Sequence, residues 1–169
     1  PGRGGRVRRG AKMAKTNTGK VTEKAIHDAL KKFDDLPQFD WQRMYDATSA
    51  RGAFMNQTGD FEFFLPKVHG VIEVKSTQHP NRLARRAFSD LQRAKLYRRM
   101  QAGGQVFVIV HHYTVGQWKL IPFSVCHQAF SVDGQASIVT DKFFTTDNEY
   151  SVVAELLKEA VNGSTTPTP

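Results

Sequence analysis

The sequence predicts a mixed α/β domain in which helices flank a central sheet. Apolar residues recur at helical spacing near both ends of the chain, for example at Ile26, Leu30 and Phe33. Between them lie short segments rich in aromatic and β-branched residues, and residues 106–110 form a continuous apolar run typical of a strand buried on both faces. With 169 residues, 40% of them hydrophobic, the chain is long enough for one domain with a substantial core.

Capping residues and periodicity place the individual elements. Thr22 is a candidate N-cap for a first helix over residues 22–33. Ser89, followed three residues later by Gln92, indicates the start of a second helix, and residues 148–163 have the apolar spacing of a third. Residues 78–87 are expected to form a loop. Strands are expected in five segments: residues 39–45, 60–65, 71–77, 106–110 and 118–125.

The two ends of the chain differ in composition from its body. Residues 1–18 are rich in Gly and basic residues without periodicity, which predicts a flexible basic arm. Residues 163–169 are polar and predict a disordered tail. Residues 19–162 contain no internal repeat and are expected to form a single domain.

The positive charge of the chain is concentrated in two blocks. The formal net charge is +8, from 24 Lys and Arg against 16 Asp and Glu. Residues 1–20 hold seven basic residues and no acidic one, and residues 82–99 hold seven basic residues and one acidic one. A basic arm with a basic segment is typical of a nucleic-acid-binding protein. The alternative is a solvated helix face together with a non-native leader at residues 1–12.

Several classes of protein are disfavoured by the composition. The single cysteine, Cys126, excludes a disulfide framework and a multi-cysteine zinc site, and fits a reducing compartment. No apolar run is long enough to span a bilayer, no signal-peptide pattern is visible, and no Gly-rich nucleotide-binding loop is present. His111 and His112 have no other ligand at a metal-binding spacing. We therefore expect a cytoplasmic protein of a bacterium or a phage-infected host, with no membrane partner and no nucleotide cofactor.

Three residues of the expected hairpin could carry chemistry. If residues 66–69 form its loop, Asp60 lies opposite Lys75 and diagonal to Glu73, on one face of the sheet. Two carboxylates about 7–8 Å apart at their Cβ atoms could share one divalent cation. Oxygen ligands favour Mg²⁺ or Mn²⁺, and such an ion with a neighbouring lysine suits phosphodiester hydrolysis. The alternative is a solvent-facing strand with an ordinary Glu/Lys pair.

These residues belong to a longer pattern, in which five short motifs follow one another in order. The motifs are Gly19 with Glu23; Thr58, Gly59 and Asp60; Glu73, Val74 and Lys75; Phe88 with Gln92; and Gly104 with Phe107 and Ile109. The set resembles the PD-(D/E)XK nuclease superfamily and, more narrowly, the RecU-type Holliday junction resolvases. The resemblance implies a restriction-endonuclease-like core with a central mixed β-sheet flanked by helices. It also implies a homodimer that resolves four-way DNA junctions during recombination and repair.

The resemblance assigns roles to particular residues. Asp60 and Glu73 would be metal ligands for Mg²⁺ (with Mn²⁺ as a substitute), joined by the Val74 carbonyl and by Glu23. Lys75 would activate or position the attacking water, and Gln92 would orient water or contact a phosphate. Two alternatives stay open: Glu23 could serve the dipole of the first helix, and Gln92 could complete a capping box with Ser89.

The expected DNA contacts come from the basic residues and from the turn before Asp60. They are Thr58, Arg43, Arg51, Arg82, Arg85, Arg86 and Arg93. The chain departs from the RecU-type pattern at residues 46–59, where the family has a much longer projecting segment. Two other functions therefore remain: a less selective phage or restriction-type DNA nuclease, and a non-catalytic DNA-binding protein on a nuclease fold.

Overall fold

The architecture is a six-stranded mixed sheet with helices on both faces. The computed structural model describes residues 17–44 and 59–163. The strands are β1 (Asp40–Arg43), β2 (Phe61–Leu65), β3 (Val68–Thr77), β4 (Arg82–Ala84), β5 (Gln105–His112), β6 (Gln117–Pro122), β7 (Ser137–Val139) and β8 (Phe144–Thr146). The helices are α1 (Thr18–Lys31), α2 (Asp90–Gln101), α3 (Phe123–His127) and α4 (Glu149–Gly163). A 3-10 turn at Arg85–Ala87 precedes α2, and a π-helical turn at Gln128–Val132 follows α3.

The strand order explains how the sheet becomes mixed. The large sheet has the order β1-β2-β3-β5-β6-β8, and β4 pairs with β7 in a separate two-stranded sheet. Strands β3 and β5 are parallel, whereas the other neighbours are antiparallel. Helix α2 supplies the crossover that a parallel pair requires. This confirms the predicted α/β class with a central mixed sheet flanked by helices.

Two apolar cores lie on opposite faces of the sheet. Helices α1 and α4 cover one face, where Leu30 and Leu156 pack with Phe107. Helices α2 and α3 cover the other, where Leu96 and Phe123 belong to one buried cluster. Strand β5 contributes alternate residues to both cores, as predicted from its unbroken apolar run. No helix in residues 17–44 or 59–163 has the length and apolarity to cross a membrane.

The first helix begins one turn earlier than predicted. Its N-cap is Asn17, whose side chain accepts a hydrogen bond from the Lys20 amide at 3.3 Å. Thr22 is buried inside the helix, and its hydroxyl lies 3.4 Å from His111 Nδ1. Thr22 was predicted as a cap because it is a good capping type before an apolar stripe, but Asn17 is an equally good type and adds a turn.

The hairpin turn is shorter than predicted, and this changes which residues face each other. Only Pro66 and Lys67 separate β2 from β3, with Lys67 at φ 62°. The register pairs Phe61 with Ile72, two positions from the expected pairing. The predicted position of Asp60 opposite Lys75 is therefore wrong, and Asp60 lies level with Glu73. Since the shift is an even number of residues, the side chains keep their face.

Two other boundaries differ from the sequence prediction. The segment expected to be a loop at residues 78–87 contains β4, which finds its partner β7 far along the chain. The strand expected at residues 118–125 ends at Pro122, because Phe123 begins α3. The first difference depends on a contact between distant segments, which local patterns do not report.

Candidate active site

Asp60 is held beside β3 by backbone contacts. Gly59 precedes it at φ 88°, and a Cβ atom there would lie 2.3 Å from Val71 Cγ1. Only glycine fits that approach, so the Gly-Asp pair is fixed by packing as well as by chemistry. The Asp60 amide donates to the Ile72 carbonyl at 2.9 Å, and Asp60 Oδ2 accepts from the Val74 amide at 2.7 Å. These bonds set the carboxylate beside the middle of β3.

Glu73 is a buried carboxylate in which one oxygen accepts hydrogen bonds and the other has no partner among the described residues. Its side chain is 1% exposed. Oε1 accepts from Lys75 Nζ at 2.6 Å and from Gln92 Nε2 at 2.6 Å. Oε2 is buried and meets no hydrogen-bond partner among the described residues. A buried oxygen without a partner is costly, so it indicates a ligand position.

Lys75 is held in three ways. Besides Glu73, its ammonium donates to Gln92 Oε1 at 3.0 Å. The ammonium also lies 4.7 Å from the centroid of the Phe88 ring, within the range of a cation–π contact. A lysine whose position is fixed so fully can act as a preorganised charge.

Gln92 takes part in the site, not in a capping box. Ser89 caps α2 through its hydroxyl, which accepts from the Gln92 amide at 3.1 Å. The Gln92 side chain instead bridges Lys75 and Glu73. The cap fixes the start of α2. The first turn of the helix then places the side-chain amide of Gln92 next to β3.

The electrostatics of the two carboxylates follow from their burial. Burial and then the nearby charge of Glu73 raise the pKa of Asp60 to about 7. Burial also raises the pKa of Glu73, although Lys75 and Gln92 oppose that rise. Two neighbouring buried carboxylates are unfavourable when both are ionised. A divalent cation would remove that cost.

Glu23 lies near the pair but is engaged elsewhere. Its charge contributes to raising the pKa of both Asp60 and Glu73. Glu23 Oε1 accepts from Arg43 Nε at 3.0 Å and Nη2 at 2.6 Å. Glu23 lies beyond the first turn of α1, which has no acidic residue, so its interpretation as a helix-dipole residue is wrong. Within residues 17–44 and 59–163, no three His, Cys, Asp or Glu side chains form a metal-holding group.

The residues present nonetheless fit a hard divalent cation. Asp60, just before β2, and Glu73 of β3 supply carboxylate oxygens. Glu73 Oε2 has no hydrogen-bond partner in the part of the chain that the structure describes, so it is available for coordination. Mg²⁺ keeps several waters and is often bound through only one or two carboxylates. Val74, whose carbonyl was predicted as a further ligand, lies between Glu73 and Lys75 in β3.

The predicted DNA contacts occupy several places. Arg85 and Arg86 are exposed in the turn before α2, and Arg82 is exposed with a 2.9 Å bond to Ser137 Oγ. Arg43 is 45% exposed but paired with Glu23. Arg93 is only 14% exposed and is paired with Asp90, so little of it can reach DNA. Thr58 and Arg51 lie outside the described residues.

One contact was missed at the sequence level. Phe88 belongs to the motif that it forms with Gln92, but the sequence pattern predicts no role for its ring. The structure places its ring against Lys75 in a 3%-exposed position. Phe88 is the extended residue just before the N-cap Ser89, and its place four residues before Gln92 was the available signal.

Comparison with known proteins supports the fold. No protein-family model matches the chain, and no curated protein does. Among solved structures, it is similar to Hjc, a Holliday junction resolvase of the archaeal hyperthermophile Archaeoglobus fulgidus. The TM-score is 0.51 at 14% identity, over 80% of this chain and 98% of that one. The chain shares its fold with an archaeal resolvase. A bacterial homing endonuclease, I-Ssp6803I, gives a TM-score of 0.46 at 14% identity, over 91% and 99% of the two chains.

Proposed function

We propose that this protein is a Mg²⁺-dependent DNA endonuclease that resolves four-way junctions as a homodimer, with Mn²⁺ able to replace Mg²⁺. One observation carries the proposal: Asp60 and Glu73 lie side by side, with Glu73 Oε2 unpartnered and Lys75 and Gln92 bonded to Oε1. The fold shared with the archaeal resolvase supports the same class of reaction.

Each residue has a part in phosphodiester hydrolysis. When bound, Mg²⁺ would stabilise the charge that develops on the phosphate oxygens and help a water to ionise. Asp60 and Glu73 would hold the ion. The Lys75 ammonium would donate a hydrogen bond to the attacking water or to a phosphate oxygen, and thereby stabilise negative charge. Gln92 keeps the lysine in place through its bond to Nζ.

The choice of substrate rests on symmetry and charge. Two incisions in a four-way junction need two active sites, which a twofold homodimer supplies. The exposed Arg82, Arg85 and Arg86 would contact phosphates and add affinity without sequence information. Glu23 could join the metal site if the Arg43 guanidinium were drawn to a phosphate.

A less selective DNA nuclease is the second candidate. The observation that favours it is the short span between β1 and Asp60, because the RecU-type enzymes use a longer segment there to enter the open centre of a junction. A non-catalytic DNA-binding protein is disfavoured, since Asp60, Glu73 and Lys75 are all retained and assembled.

A cleavage panel separates these functions. Labelled four-way junction, linear duplex, single strand and flap DNA are incubated with the protein in Mg²⁺ or EDTA. Lys75→Ala is compared with Lys158→Ala, whose lysine is 68% exposed on α4. We expect paired nicks in the junction alone, with Mg²⁺, and loss of cleavage only in Lys75→Ala. Equal cutting of linear duplex would favour the second candidate, and binding without cleavage in any condition would overturn both nuclease functions.

A further inference from the structure

One side of helix α2 forms a basic groove, which starts about one turn beyond the active-site residue Gln92. The groove has a volume of about 340 Å³ and is lined by Lys95, Arg98, Arg99 and Ala102. Gln92, at the start of the helix, points into the active site, and Lys95 and Arg99 follow at the i+3 and i+7 positions of the same helix face. The site and the groove are therefore consecutive along α2.

The groove and the active site also lie on the same face of the sheet. Arg99 Nη2 lies 3.3 Å from Glu62 Oε1. Glu62 is paired with Val71, which is two residues before Glu73 in β3 and so shares its face. Gln42 of β1 donates to Glu62 Oε2 at 2.8 Å. The Arg99 side chain thus reaches from α2 to β2, and Glu62 links it to β1.

The opposite side of α2 faces α3 and the π-helical turn that follows it. Tyr97 stacks on His127 with ring centroids 3.8 Å apart, and Arg93 donates to Ser131 Oγ at 3.2 Å. The only acidic residue of the helix, Asp90, is paired with Arg93. The basic side therefore carries none of the helix's own acidic charge.

Three basic side chains line the groove. Glu62 offsets Arg99. Arg98 is exposed, and in residues 17–44 and 59–163 no carboxylate forms a salt bridge with it. Lys95 adds a second positive charge at the wall of the groove. A concave surface of one sign concentrates counter-ions of the other.

We propose that this groove binds backbone phosphates of the DNA strand that is cut. The inference rests on the proposed nuclease function and adds the path of the strand beyond the scissile phosphate. With a rise of 1.5 Å per residue, Lys95 and Arg98 lie about 4.5 and 9 Å along the helix from Gln92. Nucleotides of one strand rise about 3.4 Å each. The groove therefore takes phosphates within about three nucleotides of the cleavage position.

The test removes the two groove charges and leaves Arg99 in place, because Arg99 holds α2 to Glu62. The double variant Lys95→Gln/Arg98→Gln is compared with Lys24→Gln/Lys158→Gln, which removes two lysines that are 74% and 68% exposed on α1 and α4. Binding to labelled four-way junction DNA is measured in EDTA over a range of salt concentrations, and cleavage is measured in Mg²⁺. Thermal melting verifies that both variants are folded.

The groove variant should bind roughly tenfold more weakly than wild type near 0.1 M salt. Its slope of log affinity against log salt should fall by about 2, near 0.9 for each phosphate that the protein no longer neutralises. Its KM should rise, and its kcat should stay within about twofold. An unchanged slope, or a weakening of binding equal to that of the control pair, would overturn the groove proposal.

The outcomes keep the two proposals apart. If wild type cleaves in Mg²⁺ and Lys75→Ala does not, while the groove variant matches the control, the nuclease function stands and the groove proposal fails. If wild type neither binds nor cleaves DNA, both fail.

Discussion

Two buried polar side chains in neighbouring strands show how differently the fold treats structural and reactive groups. His112 at the end of β5 and Glu73 in the middle of β3 are 0% and 1% exposed. His112 uses both ring nitrogens: Nδ1 is 2.5 Å from the His79 carbonyl and Nε2 is 2.9 Å from the Thr140 hydroxyl. Glu73 leaves Oε2 without a partner among the described residues.

The difference separates structural burial from functional burial. His112 joins the loop after β3 to the segment after β7, and its hydrogen bonds are complete, as most buried polar groups require. Glu73 has an oxygen without a hydrogen-bond partner in residues 17–44 and 59–163, and its neighbour Asp60 is a second acid. A bound cation would supply the missing partner of Glu73, whereas His112 needs no further partner.

The two regions should also respond to pH in opposite directions. Burial raises the pKa of Asp60 from 3.8 to about 7, so in the absence of metal the protein loses stability as the pH rises from about 4 to about 7, and the cost stays constant above that. Burial lowers the pKa of His112 from its ordinary value of 6.5. The protein therefore loses stability as the pH falls below 6.5. The metal-free protein is thus destabilised by Asp60 at higher pH and by His112 at lower pH.

The largest expected effect is on catalysis at Lys75. Lys75→Met keeps most of the side-chain length and removes the charge that Glu73 and Gln92 hold in place. The single-turnover cleavage rate in Mg²⁺ should fall by about 10²–10⁴-fold. DNA binding in EDTA should change by only a few fold. A rate within tenfold of wild type would remove Lys75 from the chemistry.

A second large effect is on stability at Asp60. Asp60→Asn removes the buried charge, so in EDTA at pH 8 the free energy of unfolding should rise, by at most about 4 kcal/mol. The gain should shrink toward pH 4.5, where Asp60 is protonated in the folded state. Urea unfolding at the two pH values measures it. A gain that is equal at both pH values, or absent at pH 8, contradicts a raised pKa of Asp60 in the folded protein.

The structural region gives the contrasting result. His112→Ala leaves the His79 carbonyl and the Thr140 hydroxyl without their partner, so unfolding should become easier by roughly 2–3 kcal/mol. Thr140→Val, which removes one of these bonds, should cost about half as much. Cleavage per folded molecule should not change for either variant. A cleavage defect at a temperature where both are fully folded would show that the regions are not separate.

The smallest expected effect concerns Phe88. Phe88→Leu keeps the position apolar and removes the ring that lies against the Lys75 ammonium. A cation–π contact contributes about 0.5–2 kcal/mol, so kcat should fall by roughly 3–30-fold while KM stays constant. Phe88→Tyr retains the ring and should restore most of the rate. If Leu and Tyr behave alike, the ring serves packing alone.

The sequence was sufficient to place Glu73 and Lys75 on one face because that information is local. Glu73 and Lys75 share a face through strand alternation alone, and Ser89 marks the start of α2. The α/β class followed from the buried run in β5. The hairpin register could not be predicted from the sequence. The two-residue turn needs Lys67 at a positive φ, and lysine is not a residue type that predicts this conformation.

Long-range partners were beyond the reach of sequence patterns. The pairing of β4 with β7, the bond of Glu23 to Arg43 and the burial of Arg93 each depend on the packed structure. The same holds for the Phe88 ring against Lys75. The remaining assignments, of Mg²⁺, of the four-way junction and of the homodimer, stay predictions.

The most direct test of the central claim is a calorimetric titration of the DNA-free protein with Mn²⁺ near pH 8, comparing wild type with Glu73→Gln. Gln has nearly the same shape as Glu but lacks the charge that would hold the ion at Oε2. We expect wild type to bind Mn²⁺ and Glu73→Gln to lose at least tenfold in affinity, with Mg²⁺ competing for the same site. Equal binding by the two proteins, or no binding by wild type, would contradict a metal centre at Asp60 and Glu73.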